Sequence, residues 1–384
     1  MSTPGLVVVG SGPAGITAAK SFRERDGDAP VLVLSSDPDV PYERPPLSKD
    51  FLRGETDDVS LHPPQWFTER AIDLRRGHTV HAIDVAERAV TVDGERIPYR
   101  ALVLACGAAP SPLPVPGGER ALSLRALSDA HLLRDRAADA KSAVVVGAGF
   151  IGCEAAASLS MRGVAVTLVA PERVPQEKRL GAEAGDRLLR LVTAAGVRYV
   201  PGVSVEAVDD VRVRLDNGVS VDCDLVLAAT GVTPRGDVAE DAGLHMQESR
   251  IVVGADMRTS APDVYAAGDV AFAYNTASGR HLAVEHWQDA MDHGAVAGAQ
   301  AAGGHATWHA VPGFWSTIGD ATVKYHAWGD GFDSSRVMER DDGFTVWYEA
   351  DGKAVGVLTC NADDDYDLGE KLIAAGRPAP VSTA

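Results

Sequence analysis

A chain of 384 residues with a formal net charge of −18 has room for two or three domains with sizeable cores. Its composition, 45% hydrophobic and 23% charged, is ordinary globular usage and not that of a disordered segment. The acidic balance argues against nucleic acid as a partner, because a phosphate-binding surface needs clustered Lys and Arg, and no apolar run reaches the ~18–20 residues of a membrane helix.

The first element expected is a hydrophobic strand, Leu6 to Val9, which runs through Gly10, Gly12 and Gly15 into a helix reaching about Arg23. A second strand, Val31 to Ser36, ends at Asp37, an acid 22 residues beyond Gly15 and close to where a ribose ligand is expected in a β-α-β unit. A Pro-rich loop, "DPDVPYERPPLSKDF", follows, and alternation in "ERAVTV" predicts a small antiparallel meander. The run "ALVLACGAAP" reads as a buried strand, and the crossover "PSPLPVPGG" after it marks a domain boundary.

The plan then repeats. "VVVGSGPAGITAA" (Val7 to Ala19) and "VVVGAGFIGCEAA" (Val144 to Ala156) agree at eight of thirteen positions, including all three Gly. The second copy places Gly147, Gly149 and Gly152 between a strand and a helix to about Arg162, with "VAVTLVAP" as the next strand. A second meander covers "VRVRLDNGVSVDCDLVLAATG", with Asp216-Asn217-Gly218 as its hairpin signal. "TSAPDVYAAGDV" reads as strand, turn and helix start, and from about Thr307 short aromatic-rich strands suggest a third, mixed domain. One Gly-rich turn is weak evidence, but two, each opening a helix inside a β-α-β unit, point to two dinucleotides held through their pyrophosphates. With two dinucleotides and no evident metal site, hydride transfer between a nicotinamide and a flavin is the leading chemistry.

The chain resembles the ferredoxin reductase branch of the FAD-dependent pyridine-nucleotide oxidoreductases: rubredoxin, putidaredoxin and aromatic-dioxygenase ferredoxin reductases, with apoptosis-inducing factor as a relative. The likeness covers nearly the whole chain and rests on "VVVGSGPAG", "PYERPPLSKDFL", "VVVGAGFIGCEAA", "LAATGVTP", "TSAPDVYAAGDV", "VEHWQDAMDHG" and "PGFWS". It implies an α/β fold with two Rossmann-like, glutathione-reductase-like domains, the second inserted in the first, and a C-terminal α+β domain. The expected boundaries are 1–110 with 231–306 for FAD, 111–230 for NAD(P)H and 307–384 for the C-terminal domain. A monomer or homodimer is expected.

Carried over residue by residue, the resemblance implies that Gly10, Gly12, Pro13, Ala14 and Gly15 cradle the FAD pyrophosphate, with Asp37 near the adenosine ribose. Asp269, after Gly268, would accept hydrogen bonds from ribityl hydroxyls; a buried capping carboxylate is the alternative. Arg44 would contact FAD, and Lys49 would stand beside flavin N5, where a fixed cation stabilises the charge of reduced flavin. Glu154 matches the acid that pairs with that Lys when nicotinamide docks, although an acid there can also stabilise a helix N-terminus. Trp315 resembles the aromatic flanking the isoalloxazine, Glu285, His286 and Trp287 the segment at its pyrimidine end, and Arg125 a further FAD contact. Gly147, Gly149, Phe150, Ile151, Gly152, Glu154, Glu172 and Gly231 fall to NAD(P)H.

One departure bears on coenzyme choice. NADH-specific relatives usually end the strand of the second motif with Glu, where this chain has Ala170. Glu172, 20 residues past Gly152, could substitute, whereas Arg173 could favour NADPH; the balance leans to NADH. Absences discriminate too. The dithiol of disulfide reductases and the single Cys of peroxidase relatives are both replaced by "PYERPPLSKDFL", and Cys106 reads as a buried inert thiol. Cys106, Cys153, Cys223 and Cys360 form no C-x-x-C pair, and the start of the chain lacks the basic stretch of a secretory leader, so a reducing, cytoplasmic setting is expected. His305 and His309 have a helical metal spacing without a third ligand and read as linker, and the acids from Asp363 to Asp367 as a solvated face or turn.

Without a dithiol relay, reduced flavin would pass electrons directly to an iron–sulfur protein, one at a time. Such partners are generally acidic, so a chain of net charge −18 would need a local basic patch to receive one. The rival expectations are a quinone or other small acceptor, and a redox-sensing interaction protein like apoptosis-inducing factor.

Overall fold

The computed structural model describes residues 4–381; the first and last three residues, where the two terminal domain ranges begin and end, lie outside the described residues. The chain divides into two compact units, each discontinuous. The first takes the chain up to Glu43, then Ser60–Ala109 and Thr233–Pro312; the second takes Arg44–Val59, Pro110–Val232 and the chain from Gly313. Among the described residues no helix is long and apolar enough to cross a membrane.

The first unit is built on a five-stranded parallel sheet in the order Val264–Ala266, Ala101–Leu104, Leu6–Val9, Val31–Ser35, Ile72–Arg76. Its inner strands, "LVVV", "VLVLS" and "ALVL", are apolar almost throughout and buried on both faces, as expected of a parallel sheet covered by helices. The helix Pro13–Arg23 packs closely along Trp287–Ala301 because small residues face each other. A Cβ on Gly294 would meet the Ala14 carbonyl oxygen at 2.2 Å, and one on Gly298 the Ala18 carbonyl oxygen at 2.1 Å. The first meander is present as Val80–Asp84, Ala89–Val92 and Glu95–Pro98.

The second unit repeats the parallel plan with four strands, Arg198–Val200, Ala165–Val169, Ser142–Val146 and Leu225–Ala228, and a second antiparallel meander, Val205–Val208, Arg212–Leu215 and Ser220–Asp222. The hairpin turn has Gly218 at φ +83° as its sequence signal requires. The same unit carries a five-stranded antiparallel sheet in the order Gly313–Ile318, Ala321–Ala327, Lys353–Cys360, Gly343–Ala350, Ser334–Arg340. The acids from Asp363 to Asp367 lie on a helix and not in a turn, with Asp363, Asp364 and Asp367 solvated as expected: they open Asp363–Ala374, where negative charge suits the dipole, and half-buried Asp365 accepts from Arg340 Nε at 2.9 Å.

Candidate active site

Two glycine turns are the first component. Gly10 ends its strand at φ +108°, and a Cβ there would lie 2.2 Å from the Ala105 carbonyl oxygen; a Cβ on Gly15 would lie 2.0 Å from that of Gly10. The fold itself therefore demands Gly at both positions. Gly12 is different: at φ −71° and ψ −176° it has a backbone that any residue adopts. It is the N-cap of Pro13–Arg23, with no capping side chain and no acid in the first turn. The second turn repeats this division. Gly147 (φ +102°) and Gly152 are hemmed by backbone at 2.4 and 2.0 Å, whereas Gly149, at φ −68°, would meet only Gln176 Nε2 at 3.5 Å. Each unit thus presents uncapped helix N–H groups behind a floor without side chains, which is what a pyrophosphate requires. Pro13 and Ala14, and Phe150 and Ile151, are the first helical residues behind these floors, and Phe150 packs edge-on against Phe314 at 4.7 Å. Gly231 is exposed at φ +94°, its carbonyl accepting from the Ser111 N–H at 2.9 Å.

In the first unit Asp37 follows the second strand, half-buried, accepting from Tyr42 Oη–H at 2.8 Å and from the Asp39 N–H at 3.0 Å. A carboxylate accepts about four hydrogen bonds, so room remains for a ribose hydroxyl. Asp269 is buried, but the helix start expected there is absent. Gly268 turns at φ +77° into a single 3-10 turn, Gly268–Val270, and the alternating residues Ala271–Asn275 continue as a strand. The Gly268 N–H donates to His293 Nδ1 at 3.4 Å, and burial pushes His293 down to about 4, which keeps the ring a neutral acceptor. Glu285 pairs with Arg250, His286 Nδ1 lies 3.1 Å from Asp289 Oδ2, and half-buried Trp287 opens the helix Trp287–Ala301.

The second unit holds the densest polar cluster. Arg44 opens the 3-10 turn Pro45–Ser48, whose two prolines preset the backbone, and Lys49 follows it. Lys49 Nζ donates to Glu154 Oε2 at 2.9 Å, with Lys49 8% and Glu154 2% exposed. Ser48 Oγ donates to the same oxygen at 2.5 Å; Ser316 Oγ and the Thr317 N–H donate to Oε1 at 2.7 and 3.3 Å. The expected Lys–Glu pair is therefore assembled, but with two hydroxyls that the sequence did not single out. Their one signal was position, inside "RPPLSK" and "FWS". Trp315 is 43% exposed, on the face of its strand opposite Ser316. Arg125 is half-buried ahead of the helix Leu127–Asp139, its N–H donating to Asp129 Oδ2 at 3.0 Å.

Around the second glycine turn, Ala170 is 2% exposed at the end of its strand. Glu172 is half-buried, with Oε1 accepting from the Lys178 N–H at 3.0 Å. Arg173 is paired with both Glu177 and Asp186, at 3.2 and 3.1 Å. The four cysteines are free thiols. Burial pushes Cys106 and Cys223 each up to about 11 and raises Cys153, beside Glu154, and Cys360 as well. None is a thiolate at neutral pH. Among the described residues no group of His, Cys, Asp and Glu is arranged to hold a metal ion, and His305 and His309 lie in irregular chain.

Two glycine turns that open uncapped helices, and a buried Lys–Glu pair behind the second, are the features of a two-dinucleotide oxidoreductase. The chain belongs to the pyridine nucleotide-disulphide oxidoreductase family, whose profile matches residues 4–294. FAD and NAD(P)H are its cofactors, and both glycine cradles fit them. The chain is 32% identical to the ferredoxin–NAD(+) reductase component of an anthranilate 1,2-dioxygenase system from Burkholderia cepacia, over 100% of this chain and 98% of that one. It is 31% identical to rhodocoxin reductase from Rhodococcus erythropolis, over 97% and 90%. Among solved structures, the ferredoxin reductase for the CYP199A2 system from Rhodopseudomonas palustris superposes with a TM-score of 0.93 at 29% identity, covering 99% of this chain and 98% of that one. The putidaredoxin reductase–putidaredoxin complex matches at 0.92 and 28% identity, covering 97% and 93%.

Proposed function

We propose that the chain is an FAD-dependent NAD(P)H:ferredoxin reductase, delivering electrons to a small iron–sulfur protein that serves a monooxygenase or dioxygenase. The observation that carries this reading is the buried pair between Lys49 and Glu154, the latter on the helix opened by the second glycine turn, in a chain whose thiols are all protonated. Bound FAD supplies the chemistry of taking two electrons from a nicotinamide and giving them up singly. The protein's share is positional. The N–H groups behind Gly10, Gly12 and Gly15 hold one pyrophosphate, and those behind Gly147, Gly149 and Gly152 the other. Asp37 and Asp269 accept from hydroxyls of FAD; Arg44, Arg125, Glu285, His286, Trp287 and Trp315 are its further contacts. Lys49 supplies the positive charge where negative charge develops, and Glu154 is its partner in a site from which water is largely excluded.

With no thiolate to relay electrons, the acceptor takes them directly, and the names of the relatives support a ferredoxin as that acceptor. Four free thiols, Cys106 half-buried and the other three buried, suit the reducing cytoplasm. Steady-state turnover of the FAD-loaded protein with NADH should be faster with a [2Fe–2S] ferredoxin than with small quinones. Faster quinone turnover overturns the acceptor. A nicotinamide complex that persists, with negligible ferredoxin reduction, supports an interaction role like that of apoptosis-inducing factor.

NADH is the preferred coenzyme on this reading. Glu172 supplies the carboxylate for the ribose 2′-OH in place of Ala170, and the charge of Arg173 is already offset by Glu177 and Asp186. Glu172→Ala should lower the NADH-to-NADPH ratio of kcat/KM by about ten- to a hundredfold, the worth of a carboxylate facing a phosphate. Ala170→Glu should raise that ratio by less, because the new carboxylate starts from a buried position. Both variants are assayed with both coenzymes, and a flat ratio across them moves selection elsewhere.

A further inference from the structure

Glu154 accepts four hydrogen bonds, about as many as a carboxylate can, and only the one from Lys49 comes from a cation. That count matters because a buried ion pair ordinarily cannot open: the charge left behind is uncompensated and strongly destabilising. Here the other three donors to the carboxylate are neutral. The backbone at Lys49 does not depend on its side chain. Ser158, one turn beyond Glu154 on the helix Phe150–Met161, donates from Oγ to the Ser48 carbonyl at 2.7 Å. Two side chains at i and i+4, which share a helix face, thus clamp the Ser48–Lys49 turn.

We propose that Ser48, Ser316 and the Thr317 N–H form a neutral cage that keeps the Glu154 carboxylate in place without Lys49, so that Lys49 can leave the pair and serve as a mobile cation. The two serines are positioning residues. The proposal rests on the reading of Lys49 and Glu154 as the hydride-transfer end of the site. It also gives Ser48 a double part, since its hydroxyl shares Oε2 with Lys49 and limits how firmly that oxygen holds the ammonium. Ser316 secures the other oxygen from the strand Gly313–Ile318, where it is 1% exposed.

The test is a double-mutant cycle on the thermal unfolding of the FAD-loaded protein: Lys49→Met, Ser316→Ala and the two together. If the cage supports the carboxylate when the cation is gone, the double variant should lose more than the sum of the single losses, by about 3 °C or more. Ser316→Thr, which restores the hydroxyl, should remove the excess. Additive losses overturn the cage. A second reading uses the flavin midpoint potential. With Ser316→Ala, Glu154 leans on Lys49, less positive charge is available to reduced flavin, and the potential should fall; in the Lys49→Met background the same substitution should leave it unmoved. A potential unchanged by Ser316→Ala alone also overturns the proposal, and it decides the matter should the double variant not fold. The unfolding cycle involves neither coenzyme nor acceptor. Its failure is therefore distinct from failure of the hydride-site reading, which an unchanged rate of flavin reduction in Lys49→Ala would report.

Discussion

Gly12→Val should yield a folded protein that is colourless when purified. The backbone at Gly12 is extended, so a valine there costs the chain about 1 kcal/mol as a poor helix N-cap. The ligand bears the larger effect. The added carbons would stand where a pyrophosphate must approach the helix N–H groups, and overpacking of that kind costs roughly 1–3 kcal/mol, about five- to a hundredfold or more in affinity. Gly10→Val makes the contrast. Its φ of +108° and the Ala105 carbonyl oxygen 2.2 Å from any Cβ predict loss of folding, not simply of flavin. Flavin absorbance after purification, set against circular dichroism, separates the two. Full occupancy in Gly12→Val would mean that the first glycine turn does not hold FAD.

Lys49→Ala should slow the reduction of bound flavin by NADH on the order of 10²-fold, the usual effect of removing one preorganised electrostatic contact. FAD content should change little, because the Glu154 carboxylate keeps the donors from Ser48, Ser316 and Thr317 and the surrounding turn stays clamped. Stopped-flow reduction in the absence of any acceptor measures this directly. An unaltered limiting rate would remove Lys49 from the mechanism, whatever its effect on turnover.

The parts of this site that the sequence disclosed are those with a local signature. Gly10, Gly15, Gly147 and Gly152 are legible because backbone geometry forbids anything else there, and the strands beside them because apolar runs of four or five residues can only be buried. Lys49 and Glu154 were legible only through family resemblance, since nothing in the spacing of residues 105 apart predicts a contact. Ser48 and Ser316 escaped altogether. A serine hydroxyl carries no periodicity, and its meaning here depends on a carboxylate from another element. The helix start expected at Asp269 failed for a related reason: Gly268 supplies the turn, but the alternation of Ala271–Asn275 belongs to a strand whose partners are Arg250–Val253 and Arg280–Ala283. The burial of Ala170 was likewise invisible, because a missing Glu reads as a gap in a motif and not as a residue in a core.

The sheet of the first unit draws Val264–Ala266 against Ala101–Leu104, and the helix behind the first glycine turn rests on Trp287–Ala301. During synthesis, then, the earliest-made strands wait with one apolar edge open until the ribosome has produced the long stretch between Ala109 and Thr233 and the strand beyond it. At about 5–20 residues per second that wait lasts on the order of ten seconds or more, long compared with the time a small domain needs to fold. An open parallel edge of Ala, Leu and Val is a template for pairing with a neighbouring nascent chain. Yield on overexpression should therefore depend on chaperone supply and translation speed more than on the stability of the finished protein, and truncation anywhere before Ala301 should leave an aggregating fragment instead of a smaller flavin-binding one.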